Sequence, residues 1–276
     1  MEIKILSPLW GHEHLNLAHF LQKIHESGYD GIDTWIPANP ADTRILLNYL
    51  NRHELYLVAH QHEAEGSTFY KFQRSFSKNL QQCAKLNPLL INSHTGRDYF
   101  SLQQQLDLIT MALDFSAKTG IRVLHETHRG RLGYSPQMIS DLFERNPDFL
   151  ITADFSHWVC VTESMLGNFT VILKQAIMRS RHIHARVGFE QGPQVPDPRS
   201  PKSAYALSHF LQWWDEIVAV NKELDTKILT ITTEFGPPPY MPVMPFSTQP
   251  IADQFEINCF MLDLLRERYR ASTAES

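Results

Sequence analysis

Cysteine is scarce in this chain: its 276 residues hold three, Cys83, Cys160 and Cys259, far apart and in no CxxC pair. That argues against a disulfide scaffold or a thiolate metal site and reads as reduced core thiols in a cytoplasmic protein. Long hydrophobic runs are missing too. No segment approaches the roughly 20 apolar residues that span a bilayer. The opening MEIKILSPLWG is too short in apolar length for a secretory signal, so no membrane partner is expected. Positive charge is not in excess: 25 Lys and Arg stand against 30 Asp and Glu, a formal charge of -5. This lacks the general footprint of a nucleic-acid binder. The first loop, SPLWGHEH, has no GxGxxG, which counts against an open dinucleotide-binding sheet. There is no interdomain linker, low-complexity tract or charge block, so one domain over residues 1–276 is expected.

What is present is alternation. Short apolar runs at Ile3–Trp10, Gly31–Ile36, Leu55–Gln61, Leu89–His94, Arg122–Thr127, Phe149–Phe155, His182–Val187 and Ile228–Glu234 read as strands. Longer amphipathic stretches follow them, at Leu15–Ser27, Ala41–His53, Thr68–Leu86, Leu102–Thr119, Pro136–Arg145, Glu163–Arg179, Lys202–Glu223 and Ile251–Arg270. Ser135–Pro136 reads as a helix start, and Gly28 and Gly120 as helix ends. Eight strand–helix units close naturally into a single (β/α)8 barrel, which needs about 250 residues. The loops Gly188 to Pro201 and Gly236 to Pro250 are proline-rich and follow the last two strands, so they are expected as stiff walls of the barrel mouth rather than plain surface connections. Trp213 and Trp214 are adjacent on a helix and are not both expected in the core. One belongs either at a contact between subunits of a homo-oligomer or on the surface.

Fourteen histidines is an unusual number, and position has to choose among them. Four strand runs end in residues able to bind a cation: Glu126 in VLHETH, Asp154 in FLITADFSH, His184 in RHIHARVG and Glu234 in ILTITTEFG. Strand side chains alternate. His182, His184 and Arg186 share one face against Ile183, Ala185 and Val187, and the other three runs divide in the same way, with His125 outside. Each candidate then points into the barrel at the carboxyl end of its strand, where barrel active sites lie. Three carboxylates do not converge without protons or a cation between them; the competing reading is an ion-pair network with nearby arginines. Mostly oxygen ligands with one imidazole fit Mn2+ first, with Mg2+, Co2+ or Zn2+ compatible. His60, His62 and His94 fall at the ends of the third and fourth strands and are either pocket-wall, substrate-binding residues or stacked loop histidines.

The segments HETHRGR (His125 to Arg131), ADFSHW (Ala153 to Trp158), HIHARVG (His182 to Gly188) and TTEFG resemble the xylose isomerase-like barrel superfamily. The likeness is greatest to its sugar phosphate isomerase/epimerase branch and runs nearly the full length. It implies a divalent metal on Glu126, Asp154, His184 and Glu234, with His157 and Arg186 facing a small-molecule sugar substrate; Glu126 and Glu234, on strands three apart, could then reach the substrate from different faces as bases. The expected reaction is isomerisation or epimerisation of a hydroxy-ketone by proton abstraction through an enediolate. Dehydratases and DNA-repair endonucleases share the scaffold, and a non-catalytic sugar-binding protein would keep it too, so these stay as alternatives. HETHRGR is more basic than its counterparts in the ketose epimerases, and Arg97 adds another cation. Arg129 and Arg131 either neutralise the acidic cluster or meet a carboxylate or phosphate on the ligand.

Overall fold

Each apolar run becomes one strand of a closed, all-parallel barrel. The strands are β1 (Glu2–Pro8), β2 (Gly31–Thr34), β3 (Tyr56–Gln61), β4 (Leu90–Ser93), β5 (Arg122–Glu126), β6 (Ile151–Ala153), β7 (Ser180–His184) and β8 (Ile228–Thr232). Leu6 of β1 pairs with Gly31 of β2 on one side and Thr232 of β8 on the other, which closes the ring. The computed structural model describes residues 1–270; residues 271–276, the end of the expected domain, lie outside the described residues. The outer layer consists of α1 (Leu17–Glu26), α2 (Pro40–His53), α3 (Phe69–Ala84), α4 (Leu102–Thr119), α5 (Pro136–Arg145), α6 (Phe155–Thr162), α7 (Thr170–Arg179), α8 (Ala204–Glu223) and α9 (Gln254–Arg270). Among the described residues no helix is long and apolar enough to cross a membrane. The helix ends follow local chemistry. Ser135 caps α5 ahead of Pro136, and Gly120 ends α4 at φ 73°, a conformation that costs an L side chain.

The barrel interior changes character in one step along each strand. Leu6, Val58, Leu90 and Leu124 form a buried apolar floor. Two residues further, on the same face, stand His60 on β3, Asn92 on β4 and Glu126 on β5. The floor excludes water from below, so polar groups in the next layer meet either one another or whatever enters from the mouth.

Three expectations change. The sixth strand stops at Ala153, because the Asp154 side chain accepts a hydrogen bond from the Ser156 amide (3.1 Å) and caps α6. The expected helix from Glu163 is correspondingly replaced by α6, a 3-10 turn at Gly167–Phe169 and α7. β7 begins at Ser180 and ends at His184, which leaves Arg186 beyond the strand. Trp213 and Trp214 are both buried, at 5% and 1% exposure. α8 is covered on two sides: Trp213 meets Phe155 at the start of α6, and both rings pack on Phe210. Neither tryptophan is left for a subunit contact.

β8 ends at Thr232, so Glu234 is held by other means. The Asn258 side chain of α9 brackets the Phe235 peptide, accepting from its N–H and donating to its C=O, both at 2.9 Å. Gln194, from the loop after β7, does the same for Gly236 at 2.7 and 3.2 Å. A Cβ on Gly236 would lie 2.2 Å from the Trp10 ring, so glycine is what lets the indole close over this segment. Asn258→Leu preserves bulk but strands the buried Phe235 amide, and is expected to lower stability by about 1–3 kcal/mol. Urea unfolding checks this, and an unchanged midpoint would show that the bracket adds nothing to stability.

Candidate metal centre and active site

The ligand atoms of Glu126, Asp154, His184 and Glu234 all lie within 4.8 Å of one another, and all four residues are buried. The four side chains singled out for a cation are therefore brought together, although two arrive by routes other than strand alternation. Asp154 is aimed by its capping role and Glu234 by the bracketed segment after β8. The His184 Nδ1 stands 2.8 Å from Glu234 Oε2 and 3.5 Å from Glu126 Oε2. Its Nε2 faces Asp33 Oδ2 at 3.1 Å. That contact fixes which ring nitrogen is turned towards the cluster, as a carboxylate behind a metal-binding histidine does.

Asp33 was not among the expected site residues. It sits in β2, 4% exposed, and takes Thr232 Oγ1 at 3.0 Å and His182 Nε2 at 3.3 Å as further partners. Its signal in the sequence was the inward parity it shares with Trp35, which also borders the cavity. Asn92 is a second addition: its Nδ2 donates to Glu126 Oε2 at 2.7 Å, and His94 Nε2 meets the same oxygen at 3.0 Å.

Burial dominates the electrostatics. It pushes the Asp154 carboxyl up to about 6, against the opposing pull of Arg186. Burial also raises Asp33 and Glu126, but their histidine neighbours outweigh it and hold both well below the usual carboxylate range. For His184, burial disfavours the charged ring, yet Glu234 and Glu126 overcome it and lift its pKa well above that of a free imidazole. Desolvation drives His60 down to about 3 and keeps His157 neutral as well.

The donor set fits a divalent cation. Glu126 Oε1, His184 Nδ1 and Glu234 Oε2 are buried without a hydrogen-bond partner, which is costly unless something else satisfies them. Asp154 departs from this pattern, because Ser156 Oγ donates to its Oδ1 at 2.5 Å and Arg186 Nη2 holds its Oδ2. Asp154 can join a cation by sharing an oxygen with these partners.

A cavity of about 340 Å3 opens above the cluster, bordered by Trp10, Asp33, Trp35, His60, His62, His94, His128, Arg186, Glu234 and Tyr240. Of the expected substrate-facing residues, His60, His94 and Arg186 border it. His157 does not: it is fully buried, bonded to Arg186 Nη2 at 2.8 Å and tilted against the ring of His128, with ring centres 3.9 Å apart. Tyr240, from the proline-rich loop after β8, borders the cavity edge-on to Trp10 as an expected wall, whereas no residue of the Gly188 to Pro201 loop borders it.

No family model matches the sequence, and no curated protein sequence matches it. Solved structures do match in fold. A D-allulose 3-epimerase from Methylomonas is 14% identical, with 97% of each chain covered and a TM-score of 0.65. A probable 3-DHS dehydratase of petrobactin synthesis from Bacillus anthracis is 17% identical, covering 97% of this chain and 100% of its own, with a TM-score of 0.63. Endonuclease IV from Thermus thermophilus is 13% identical over 97% and 99% of the two chains, with a TM-score of 0.59. Sugar phosphate isomerase/epimerases from Parabacteroides distasonis also match. The chain thus shares a (β/α)8 barrel fold with these proteins, at identities that speak for the fold alone.

Proposed function

We propose that the protein is a divalent-metal-dependent isomerase or epimerase of a small sugar-like hydroxy-ketone. The observation that carries this reading is the convergence of Glu126, Asp154, His184 and Glu234, with three unpartnered buried ligand atoms, beneath a cavity. A divalent cation held by these four, Mn2+ by preference, supplies Lewis acidity to neighbouring hydroxyl and carbonyl oxygens and so acidifies the C–H between them.

The chain's own groups do the rest. Glu234 is the one carboxylate of the set that borders the cavity, so it takes the carbon-bound proton and returns it. Return to the neighbouring carbon isomerises. Return to the opposite face epimerises and needs a second base, for which Glu126 has an unpartnered Oε1. Asn92 and His94 hold the other Glu126 oxygen and keep that carboxylate ionised. His60 is neutral and offers hydrogen bonds to substrate oxygens, while Trp10, Trp35 and Tyr240 wall out water. Arg186, braced by Asp154, Ser156 and His157, reaches the cavity with its orientation fixed.

A cation-loaded sample incubated with hydroxy-ketones in D2O is expected to lose carbon-bound proton signals by NMR, and chelation should stop the exchange. Glu234→Gln should slow it by about 100-fold or more; exchange at the wild-type rate in that variant removes Glu234 as the base. A second outcome concerns protons. Asp154 near 6 and a raised His184 mean that the cation-free site carries protons that binding must displace. Cation affinity should therefore rise as pH is raised through 6, with proton release visible by calorimetry in buffers of different ionisation heat. No release and a flat pH profile would take these residues out of the coordination shell.

A metal-dependent phosphodiesterase is the second reading, favoured by one observation: the ligand atoms of His60, His94 and Glu126 also cluster within 4.8 Å. The net charge of -5 opposes a DNA substrate. We expect no nicking of abasic DNA by the cation-loaded protein, and nicking at enzyme-like rates would reverse the preference.

A further inference from the structure

Arg186 borders the cavity, and Arg97, Arg129 and Arg131 stand on the loops that follow β4 and β5; the four divide into two kinds. Arg186 is committed to Asp154, Ser156 and His157. Arg97 is committed to main-chain carbonyls, donating to Gly96 O and Ala64 O at 2.9 Å each, with its guanidinium packed over Phe72. Arg129 and Arg131 are different. Among the described residues neither makes a side-chain hydrogen bond or an ion pair. Arg129 lies over the ring of Tyr240, 5.1 Å from its centre, on the same ring that Arg186 approaches at 4.9 Å. Arg131 is half-buried, and its Nε is fully enclosed without a partner.

These two side chains are presented by a fixed turn. Gly130 takes φ 73° between them, the Arg131 amide donates to His128 O at 3.1 Å, and the Leu132 amide donates to Thr95 O at 2.9 Å. His128 and Tyr240 both border the cavity, so the turn sits at its lip. Arg131 feels the charges of Glu126 and Tyr240 and in turn acts on His62, yet it lies beyond ion-pair distance of every described carboxylate. It therefore makes no contact ion pair with the acidic cluster, and its donors are left over for another partner. A half-buried guanidinium with an enclosed and unpaired N–H is costly unless a ligand completes it, and a planar fork of donors matches an oxyanion.

We propose that Arg131, with Arg129 beside it, binds an oxyanion carried by the substrate, a carboxylate or a phosphate ester, so that the natural substrate is an acidic hydroxy-ketone rather than a neutral ketose. This rests on the isomerase or epimerase reading of the same cavity for its reaction, but not for the anion site itself. The substrate's charged end lies at the lip against the two arginines, and its hydroxy-ketone end lies deeper, at Glu234.

The test uses the cation-loaded full chain and two probes. Sulfate binding is measured first, by calorimetry at low ionic strength. Wild type should bind it, Arg131→Gln should weaken binding by about tenfold or more, the Arg129→Gln/Arg131→Gln pair should abolish it, and Arg131→Lys should recover part. Equal sulfate affinity in wild type and the double variant overturns the proposal. Fructose, fructose phosphate and ketogluconate are then compared for proton exchange in D2O. An acidic ketose should be favoured in kcat/KM by about 10–100-fold, with the advantage lost in Arg131→Gln through KM more than kcat. Preference between the phosphate and the carboxylate identifies the oxyanion, whereas fructose processed as well as both overturns the proposal. If no sugar exchanges while sulfate binding follows the arginines, the isomerase reading fails and the anion site stands. If sugars exchange but anion binding ignores the arginines, the reverse holds.

Discussion

Four carboxylates, Asp33, Glu126, Asp154 and Glu234, are buried together at one end of a barrel whose other end is sealed by leucine and valine. Like charges in a poorly solvated space repel strongly, and removing each from water carries its own penalty. Among the described residues, Arg186 is the one permanently charged partner within ion-pair distance of any of them. His184 helps by taking up a proton that its burial alone would refuse. Even so, an oxygen on Asp33, one on Glu126 and one on Glu234 remain without hydrogen bonds. These three belong to carboxylates gathered around one point, where their unmet bonds and their charges add up. The proposed cation would resolve the excess charge and the unmet bonds in a single step, and the groups around the four carboxylates would support it there.

That support is mostly amide and hydroxyl rather than charge. The Thr127 hydroxyl accepts from the Asp154 amide at 2.9 Å, Asn92 holds Glu126, and Asn258 and Gln194 bracket the two peptides that follow Glu234. Side-chain amides can mimic a neighbouring strand, donating and accepting at once, exactly where the β-ladder has run out at Thr232 and cannot fix the next residues itself. Rigid neutral partners position the carboxylates without cancelling their charge, which a lysine or arginine in the same places would do.

Much of this was legible in one sequence. Alternation along VLHETH and RHIHARVG separates inward from outward side chains and identifies Glu126 and His184 without reference to any partner; the same alternation singles out Glu234, but β8 ends two residues before it and the bracketed segment aims it instead. Asp154 was also found, but for a reason that did not hold: it leaves the strand by capping α6, and the cap rather than the pleat aims it. Asp33 and Asn92 escaped notice because their meaning lies across the barrel. Asp33 meets His182 and His184 some 149 and 151 residues away in sequence, and no local pattern encodes such a contact. The paired tryptophans fail for a similar reason. Adjacent helical residues point apart, but α8 has neighbours on both sides, so both directions lead inward.

The fold leaves the reaction open, since the matching structures span an epimerase, a dehydratase and an endonuclease. Selection has to come from the lip, where side chains are not shared with the cation. There the charge changes sign: the depth of the cavity is carboxylate-rich and would hold a cation, while the turn carrying Arg129 and Arg131 is positive and unpaired. A cavity with a field of this kind orients a ligand before any contact is made, drawing an anionic end outward to the arginines and leaving neutral oxygens to face the cation. A symmetric neutral sugar would gain little from that gradient and could bind in either direction. A ligand with one acidic end would bind in a single direction, and in the proposed reaction that would hold one C–H against Glu234 and make the position of proton removal a consequence of where the charge sits.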